Sequence, residues 1–228
     1  RFPVMDVVIP LGSGSRWQDN ELRFCLRAVE KHLKGYDRIY IVGRKPDWIQ
    51  NIEFIPYVEA HTRERNIMEK VRRACKSGVS DNFLFMNDDH FLIKDVDAHT
   101  YPYYYNGPIA PYGGEYGQSL YRTQRELSTR GLPTLNYDIH CPIIYSKRLF
   151  LDIMACYSWK KDLVVKSLYA NTAGVEGVQM NDRKINRNIG VAVLRQVEQD
   201  RHVFSIGDGA IRLALKKYFA EKLPHPCR

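Results

Sequence analysis

Asn82-Phe83-Leu84-Phe85-Met86-Asn87-Asp88-Asp89-His90-Phe91 decides how this chain is read. A near-continuous apolar run stops at two adjacent carboxylates flanked by an amide and an imidazole. That is the pattern of a strand buried on both faces whose end delivers acidic groups to a cleft. Ligands of open α/β sheets sit outside the carboxyl ends of the strands, so the chemistry is expected where this run ends.

Working outward, the preceding segments supply the rest of a sheet. Met5–Leu11 reads as a first buried strand, and Gly12-Ser13-Gly14-Ser15-Arg16 follows it as a loop rich in backbone donors. Asp19 is placed to N-cap a helix whose apolar face is Leu22, Cys25, Leu26, Val29 and Leu33, ended by Gly35. Arg38–Gly43 is a second strand, Lys45–Ile49 a short turn of helix, and Ile52–Tyr57 a third strand. A further helix, capped by Thr62, turns Ile67, Met68, Val71, Ala74 and Cys75 inward, with Arg63 and Arg65 at its entry in reach of a diphosphate. Strands alternating with helices imply right-handed crossovers and an α/β fold with a mostly parallel sheet.

Beyond the acidic pair the periodicity weakens. Residues 98–135 read as an irregular, Tyr-rich insertion over the cleft, either an acceptor-binding wall or a minilobe that stabilises itself. Leu135–Tyr145 alternates polar and apolar residues, which sets Asn136, Asp138 and His140 on one face of a strand. A helix is expected over Lys147–Tyr157. Residues 163–201 carry turn signals at Asn171, Gly174, Gly177 and Asn181-Asp182 without a clear element. Val203–Asp208 is a last extended piece leading into a helix that bears Ile211, Leu215, Tyr218 and Phe219, and Asp208 is either its N-cap or a site ligand.

The composition sets the bounds. With 228 residues, 44% of them hydrophobic, the chain can bury a full core as one domain spanning 1–228. Lys and Arg number 34 against 26 Asp and Glu, a net charge of +8, which favours an anionic partner: a nucleotide, a phosphorylated glycan, nucleic acid or an acidic membrane. Cys25, Cys75, Cys141, Cys156 and Cys227 are odd in number and contain no C-x-x-C pair, so they read as reduced thiols of a cytoplasmic protein. No run approaches the roughly 20 apolar residues of a transmembrane span, and no signal-peptide pattern occurs.

Adjacent carboxylates at a strand end raise a pKa or demand a cation. Mn²⁺ or Mg²⁺ resolves the conflict and keeps open positions for substrate phosphates. The expected chemistry is displacement at a sugar carbon or at phosphorus, with a nucleotide or diphosphate departing.

Four blocks then resemble a known group: Asp6-Val7-Val8; Asp19-Asn20-Glu21-Leu22-Arg23 through Lys31; Ile39–Gly43 with Pro46-Asp47-Trp48; and Phe83 through Asp89. Together they resemble the Stealth group of sugar-phosphate transferases, and Ile139-His140-Cys141-Pro142 is similar to that group's later H-x-P motif. The opening differs, with Ile9-Pro10-Leu11-Gly12 and Gln18-Asp19 where the group has other residues. The resemblance implies a Rossmann-like, glycosyltransferase-A-type fold with Asn87-Asp88-Asp89 as its metal-binding acidic motif, and leaves open whether sugar or sugar phosphate moves.

The leading expectation is a metal-dependent transferase that uses a nucleotide-sugar donor and a glycan acceptor. Asp6 and the loop bearing Gly12, Ser13 and Arg16 would hold the nucleoside, Arg23 or Arg27 the phosphates, and Asn87 and Asp88 the rest of the donor. Asp89 with Asp88, and Asp208 if it is a ligand, would hold the metal. His140 or Asp138 would be a base or a further ligand. The rivals are a glycosyltransferase acting on a hypermodified base of DNA, a metal-dependent nuclease or phosphohydrolase, and a sugar- or nucleotide-binding module without turnover.

Overall fold

The computed structural model describes residues 2–225, so Cys227 lies outside the described residues. In chain order, β1 (Met5–Leu11) leads through the glycine-serine loop to α1 (Asn20–His32) and the two-residue β2 (Leu33–Lys34). β3 (Ile39–Gly43), β4 (Glu53–Pro56), α2 (Arg63–Cys75) and β5 (Asn82–Phe85) follow. Next come β6 (His90–Leu92), β7 (Val96–Asp97), β8 (Tyr103–Tyr105), α3 (Glu115–Thr129), β9 (Ile143–Ser146), α4 (Lys147–Ala155) and α5 (Val165–Ala173). The chain ends with β10 (Gly177–Gln179), β11 (Lys184–Ile185), α6 (Val191–Asp200), β12 (Val203–Ile206), a 3₁₀ turn at Asp208–Ala210 and α7 (Leu213–Lys222).

The central sheet runs β4-β3-β1-β5-β9. Its first four strands are parallel and β9 is antiparallel to β5. Every residue of β1 and β3 is buried, as expected of strands covered on both faces. The period-2 alternation sorts the core into two layers. Val7, Ile9 and Leu11 pack with Leu22, Cys25, Leu26 and Val29 of α1, whereas Val8, Val42, Phe83 and Phe85 pack with Met68, Val71 and Ala74 of α2 and with residues of α4 and α5. Helices therefore flank both faces, an arrangement compatible with a Rossmann-like fold. The chain winds from β1 outward through β3 to β4, then returns to lay β5 on the other side of β1. The carboxyl ends of β1 and β5 thus border the switch point at which such sheets bind ligands. Gly43 closes β3 at φ +132°, where a Cβ would stand 2.0 Å from the Leu11 carbonyl oxygen, so glycine is what lets the ends of β1 and β3 meet.

A second sheet, β11-β12-β6, packs beside the first. The apolar run that opened the sequence reading is consequently not one strand. It leaves the central sheet after Phe85, turns through residues 86–89, and enters the second sheet at His90. Phe91 of that run and Phe24 of α1 anchor α7: Phe219 lies 4.6 Å from Phe91 and 4.8 Å from Phe24, centroid to centroid.

Several local expectations are corrected. Asp19 does not cap α1 through its side chain; it sits in the left-handed region at φ 57° and its carboxylate faces Arg44 instead. Thr62 donates its hydroxyl to Asp162, and Asp162 accepts the Arg65 N–H at the start of α2, so the cap comes from a residue distant in sequence. The 98–135 insertion contains a 15-residue helix, α3, whose buried stripe of Gly117, Ser119, Leu120, Thr123 and Leu127 is too weakly apolar to announce itself. Residues 136–142 form no strand, because the side chains behind the alternation make local bonds: Asn136 accepts the Asp138 N–H, and Asp138 accepts the N–H groups of Lys166 and Ser167 on α5. Cys25, Cys75, Cys141 and Cys156 form no disulfide. Among the described residues no helix is long and apolar enough to cross a membrane.

His202 gives the second sheet a pH dependence. It is hydrogen-bonded to the Tyr101 hydroxyl at 2.7 Å, and burial, followed by the charges of Lys94 and Arg201, lowers its pKa from 6.5 to about 4. Between those values the unfolded chain binds the proton and the folded chain does not, so this contribution to stability is complete above pH 6.5 and fades as pH falls toward 4. It is on the order of 2–3 kcal/mol at most. Urea midpoints at pH 4.5 and 7.5 should differ less for His202→Gln than for the unsubstituted protein; an equal difference would remove His202 from the account.

A candidate active cleft at the switch point

The acidic turn is built by bonds that peel the chain off the sheet. Met86 N–H still donates to the Val8 carbonyl, and then Asn87 and His90 close the turn reciprocally. His90 N–H donates to the Asn87 carbonyl, and Asn87 N–H donates to His90 Nδ1 at 3.2 Å. Accepting at Nδ1 assigns the ring proton to Nε2, which is buried and has no hydrogen-bond partner among the described residues. Burial, together with the positive charges of Lys166, His140 and Lys184, holds the His90 pKa well below its usual value, so the ring is neutral.

The second sheet braces Asp89. Ser205 pairs with His90 across β12 and β6, and Lys184 pairs with Ser205 across β11 and β12. That register brings the Ser205 hydroxyl to donate to Asp89 Oδ2 at 2.9 Å and the Lys184 ammonium to 3.7 Å from the same oxygen.

Asp88 has acidic neighbours. Burial first, and then the negative charges of Asp89, Glu21 and Asp19, push its pKa up to about 7. The two background carboxylates are already held: Arg44 clamps both oxygens of Asp19 at 2.5 Å, and Ser15 donates to Glu21 at 2.8 Å. Ser15 also accepts the N–H groups of Trp17 and Asp19, which orders the loop after β1 while leaving Ser13 and Gly14 exposed. A buried carboxyl beside a second carboxylate, with Asp88 pushed up in this way, fits a divalent cation. No group of three or more His, Cys, Asp or Glu side chains at ligand spacing exists among the described residues. The donor set therefore fits an ion that completes its coordination with substrate oxygens rather than a cage made wholly of protein.

Asn87 looks into a cleft of about 640 Å³ whose opposite wall carries His140, Asp182 and Lys166. His140 Nδ1 lies 2.6 Å from Asp182 Oδ2, and Asp182 Oδ1 accepts the backbone N–H groups of both His140 and Arg183. The hydrogen bond to His140 counters the burial of Asp182 and leaves its pKa below the usual carboxylate value. His140 is thus an imidazole oriented by a carboxylate, with Nε2 left for other work. The rings of His90 and His140 meet edge to face at 6.3 Å, which places this pair beside the acidic turn. Buried Lys166 donates to the carbonyls of Ile139 and Cys141 and so fixes the segment that carries His140.

The residues singled out from sequence separate into three sets. Asn87, Asp138 and His140 line one cleft, with Asp88 and Asp89 in the adjoining turn, although Asp138 already caps α5. Gly12, Ser13 and Arg16 lie in the loop after β1, and Asp208 meets Arg16 at 3.4 Å in an exposed ion pair on that side. Asp6, Arg23 and Arg27 are elsewhere. Asp6 is fully buried at the start of β1, accepting a two-pronged interaction from Arg38 and the Ser80 N–H, which corrects its expected role at the nucleoside. Arg23 stacks over Trp48 at 3.8 Å, and Arg27 donates to the Leu223 carbonyl, binding α1 to the end of α7. Asp182, Lys184, Lys166 and Ser205 were not anticipated. Asn181-Asp182 was visible only as a turn, and a lone lysine or serine in an unassigned stretch carries no signal of its own.

An α/β sheet with this acidic turn at its switch point resembles, over part of its length, the Stealth-type sugar-phosphate transferases. The chain is 28% identical over 181 residues, 71% of its length, to the N-acetylglucosamine-1-phosphotransferase subunits alpha/beta of Mus musculus, and 30% identical over 103 residues to those of Homo sapiens. It is 29% identical over 100 residues, 36% of its length, to the capsular polysaccharide phosphotransferase CpsJ of Streptococcus thermophilus. The chain spans 13%, 8% and 39% of these three relatives respectively. No protein-family model matches it.

Proposed function

We propose that this chain is a metal-dependent transferase, built on a glycosyltransferase-A-like fold, that moves a sugar phosphate from a nucleotide-sugar donor to a hydroxyl of a glycan acceptor. The observation that carries this reading is the juxtaposition of the Asn87-Asp88-Asp89 turn with the His140–Asp182 pair at the switch point of the sheet. The naming of the relatives as phosphotransferases supports the same chemistry.

In this mechanism the loop from Gly12 to Arg16 receives the nucleoside, and Asp88 and Asp89 would hold Mn²⁺ or Mg²⁺ where the donor phosphates bind. The ion supplies charge neutralisation on the departing phosphate. Ser205 and Lys184 keep Asp89 in its orientation. His140 Nε2 takes the proton of the acceptor hydroxyl as that oxygen bonds to phosphorus, and the bond from phosphorus to the leaving nucleoside monophosphate breaks. Asp182 holds the Nδ1 proton throughout and stabilises the imidazolium that forms.

Transfer of the sugar alone is the second reading; it would release a nucleoside diphosphate instead. The names of the relatives lend no support to acceptors in DNA. A panel of nucleotide sugars with and without Mn²⁺ tests the proposal by thermal stabilisation, since a ligand at 100 times its Kd adds about 2.7 kcal/mol. One donor should raise the melting temperature only with the metal, chelation should erase the shift, and a nucleoside monophosphate should appear on turnover. No shift with any donor, beside a shift with duplex DNA, would sink the proposal.

A further inference from the structure

Glu64 is a buried carboxyl that the mechanism does not use. It stands in the first turn of α2, 6% exposed, and among the described residues no hydrogen-bond donor reaches its carboxyl group. Its ion-pair contact, to the exposed Arg63 guanidinium, is 3.8 Å long. Burial, then the negative charge of nearby Asp138, push its pKa up to about 7. No donor of the described residues satisfies it, and it lines two open concavities, so its oxygens are free to accept from a ligand that enters them.

The surroundings say which kind. Glu64, Arg63 and Tyr116 are shared by two concavities: the cleft that holds His140 and Asn87, and a second one of about 620 Å³ that runs outward past Arg122, Lys160 and Lys161. Glu64 therefore stands at their junction. Arg63, Arg122, Lys160 and Lys161 outweigh Glu115 and Asp162 along the second concavity, and Lys166 and Lys184 line the first, a balance that disfavours a cation and makes uncharged O–H donors the fitting partners of the two carboxyl oxygens. Tyr116 beside it offers the amphipathic ring against which a sugar face packs.

We infer that the acceptor enters through this second concavity and that Glu64 grips a pair of neighbouring hydroxyls on a saccharide, making it a specificity-determining residue of the acceptor site. The inference rests on the transferase reading. It names the recognised chemistry, a vicinal diol, and the direction from which it reaches His140.

Saturation-transfer NMR with methyl gluco-, galacto- and mannopyranosides tests it on the full chain. At least one glycoside should bind the unsubstituted protein, and Glu64→Gln, which puts an amide N–H₂ where an acceptor oxygen stood, should weaken that binding tenfold or more at unchanged melting temperature. No binding of any glycoside to the unsubstituted protein overturns the inference, as does undiminished binding to Glu64→Gln. Should Glu64→Gln not fold, Glu64→Asp, which keeps the charge and withdraws it by one methylene, takes its place with the same two outcomes. The nucleotide-sugar shift of the unsubstituted protein is read alongside. Its absence with diol binding intact would fell the transferase and leave Glu64 a saccharide-binding residue; its presence without diol binding would fell Glu64 alone.

Discussion

Asp89→Asn is expected to lower transfer by at least a thousandfold and to raise the melting temperature of the metal-free protein by a few degrees. The activity loss follows because an amide cannot supply the negative charge that holds a divalent cation against a diphosphate. The gain in stability follows from the same charge. Asp89, Glu21 and Asp19 each lie within electrostatic reach of Asp88, and removing the Asp89 charge relieves a repulsion on Asp88 worth on the order of 1 kcal/mol. Asn at this position still accepts from Ser205 through Oδ1, so the turn keeps that half of its brace, and the lost attraction to partly exposed Lys184 at 3.7 Å is smaller than the repulsion relieved. Activity retained within tenfold would remove Asp89 from the metal site, and an unchanged or lower melting temperature would show that the carboxylates do not repel as the geometry implies.

Asp182→Asn is expected to reduce kcat by about 10²–10⁴ while leaving the metal-dependent donor shift in place. The reason lies in which oxygen does what. Asp182 Oδ1 accepts two backbone N–H groups, from His140 and Arg183, while Oδ2 faces His140 Nδ1. An asparagine keeps its oxygen on the two N–H groups and turns its N–H₂ toward Nδ1. His140 then accepts at Nδ1, carries its proton on Nε2, and has nothing with which to take a proton from the acceptor. His140→Gln should fall to a similar rate, and the double variant should be no worse than either alone, since residues that act as a unit are not additive. Turnover of Asp182→Asn within threefold of the unsubstituted protein would remove the pair as the base.

The first half of the fold was legible because its apolar residues follow a single period at a time. β3 is a hydrophobic run closed by Gly43 and β1 one interrupted by Asp6 and Pro10, and α1 repeats Leu22, Cys25, Leu26 and Val29 at helical spacing. The acidic turn was legible for a related reason, that an abrupt change from apolar to charged residues marks a sheet edge. What could not be read there was that the run spans two sheets, since Phe85 and Phe91 are equally buried whichever sheet holds them. The opposite wall of the cleft was half legible. His140 stood out as a polar residue in an alternating stretch, but the alternation reflected capping by Asp138 and a local bond from Asn136 rather than a strand. Asp182, Lys184 and Ser205 reach the site through long-range pairings, and no local pattern of residues encodes those.

The brace on Asp89 also bears on how the molecule comes into being. Its hydroxyl partner, Ser205, follows it by 116 residues, and the strands that position Ser205 and Lys184 are synthesised well after the central sheet. The five-strand sheet is complete once β9 has been synthesised, more than fifty residues before β12. A chain that stops short of β12 has the five strands paired but lacks both the brace and Phe204 and Phe219, which fill the core layer against α1. Loop closure over such a span is entropically slow to win. Steadying the acidic turn and closing that core layer are thereby one event, and a fragment cut short of β12 would lose stability and competence together.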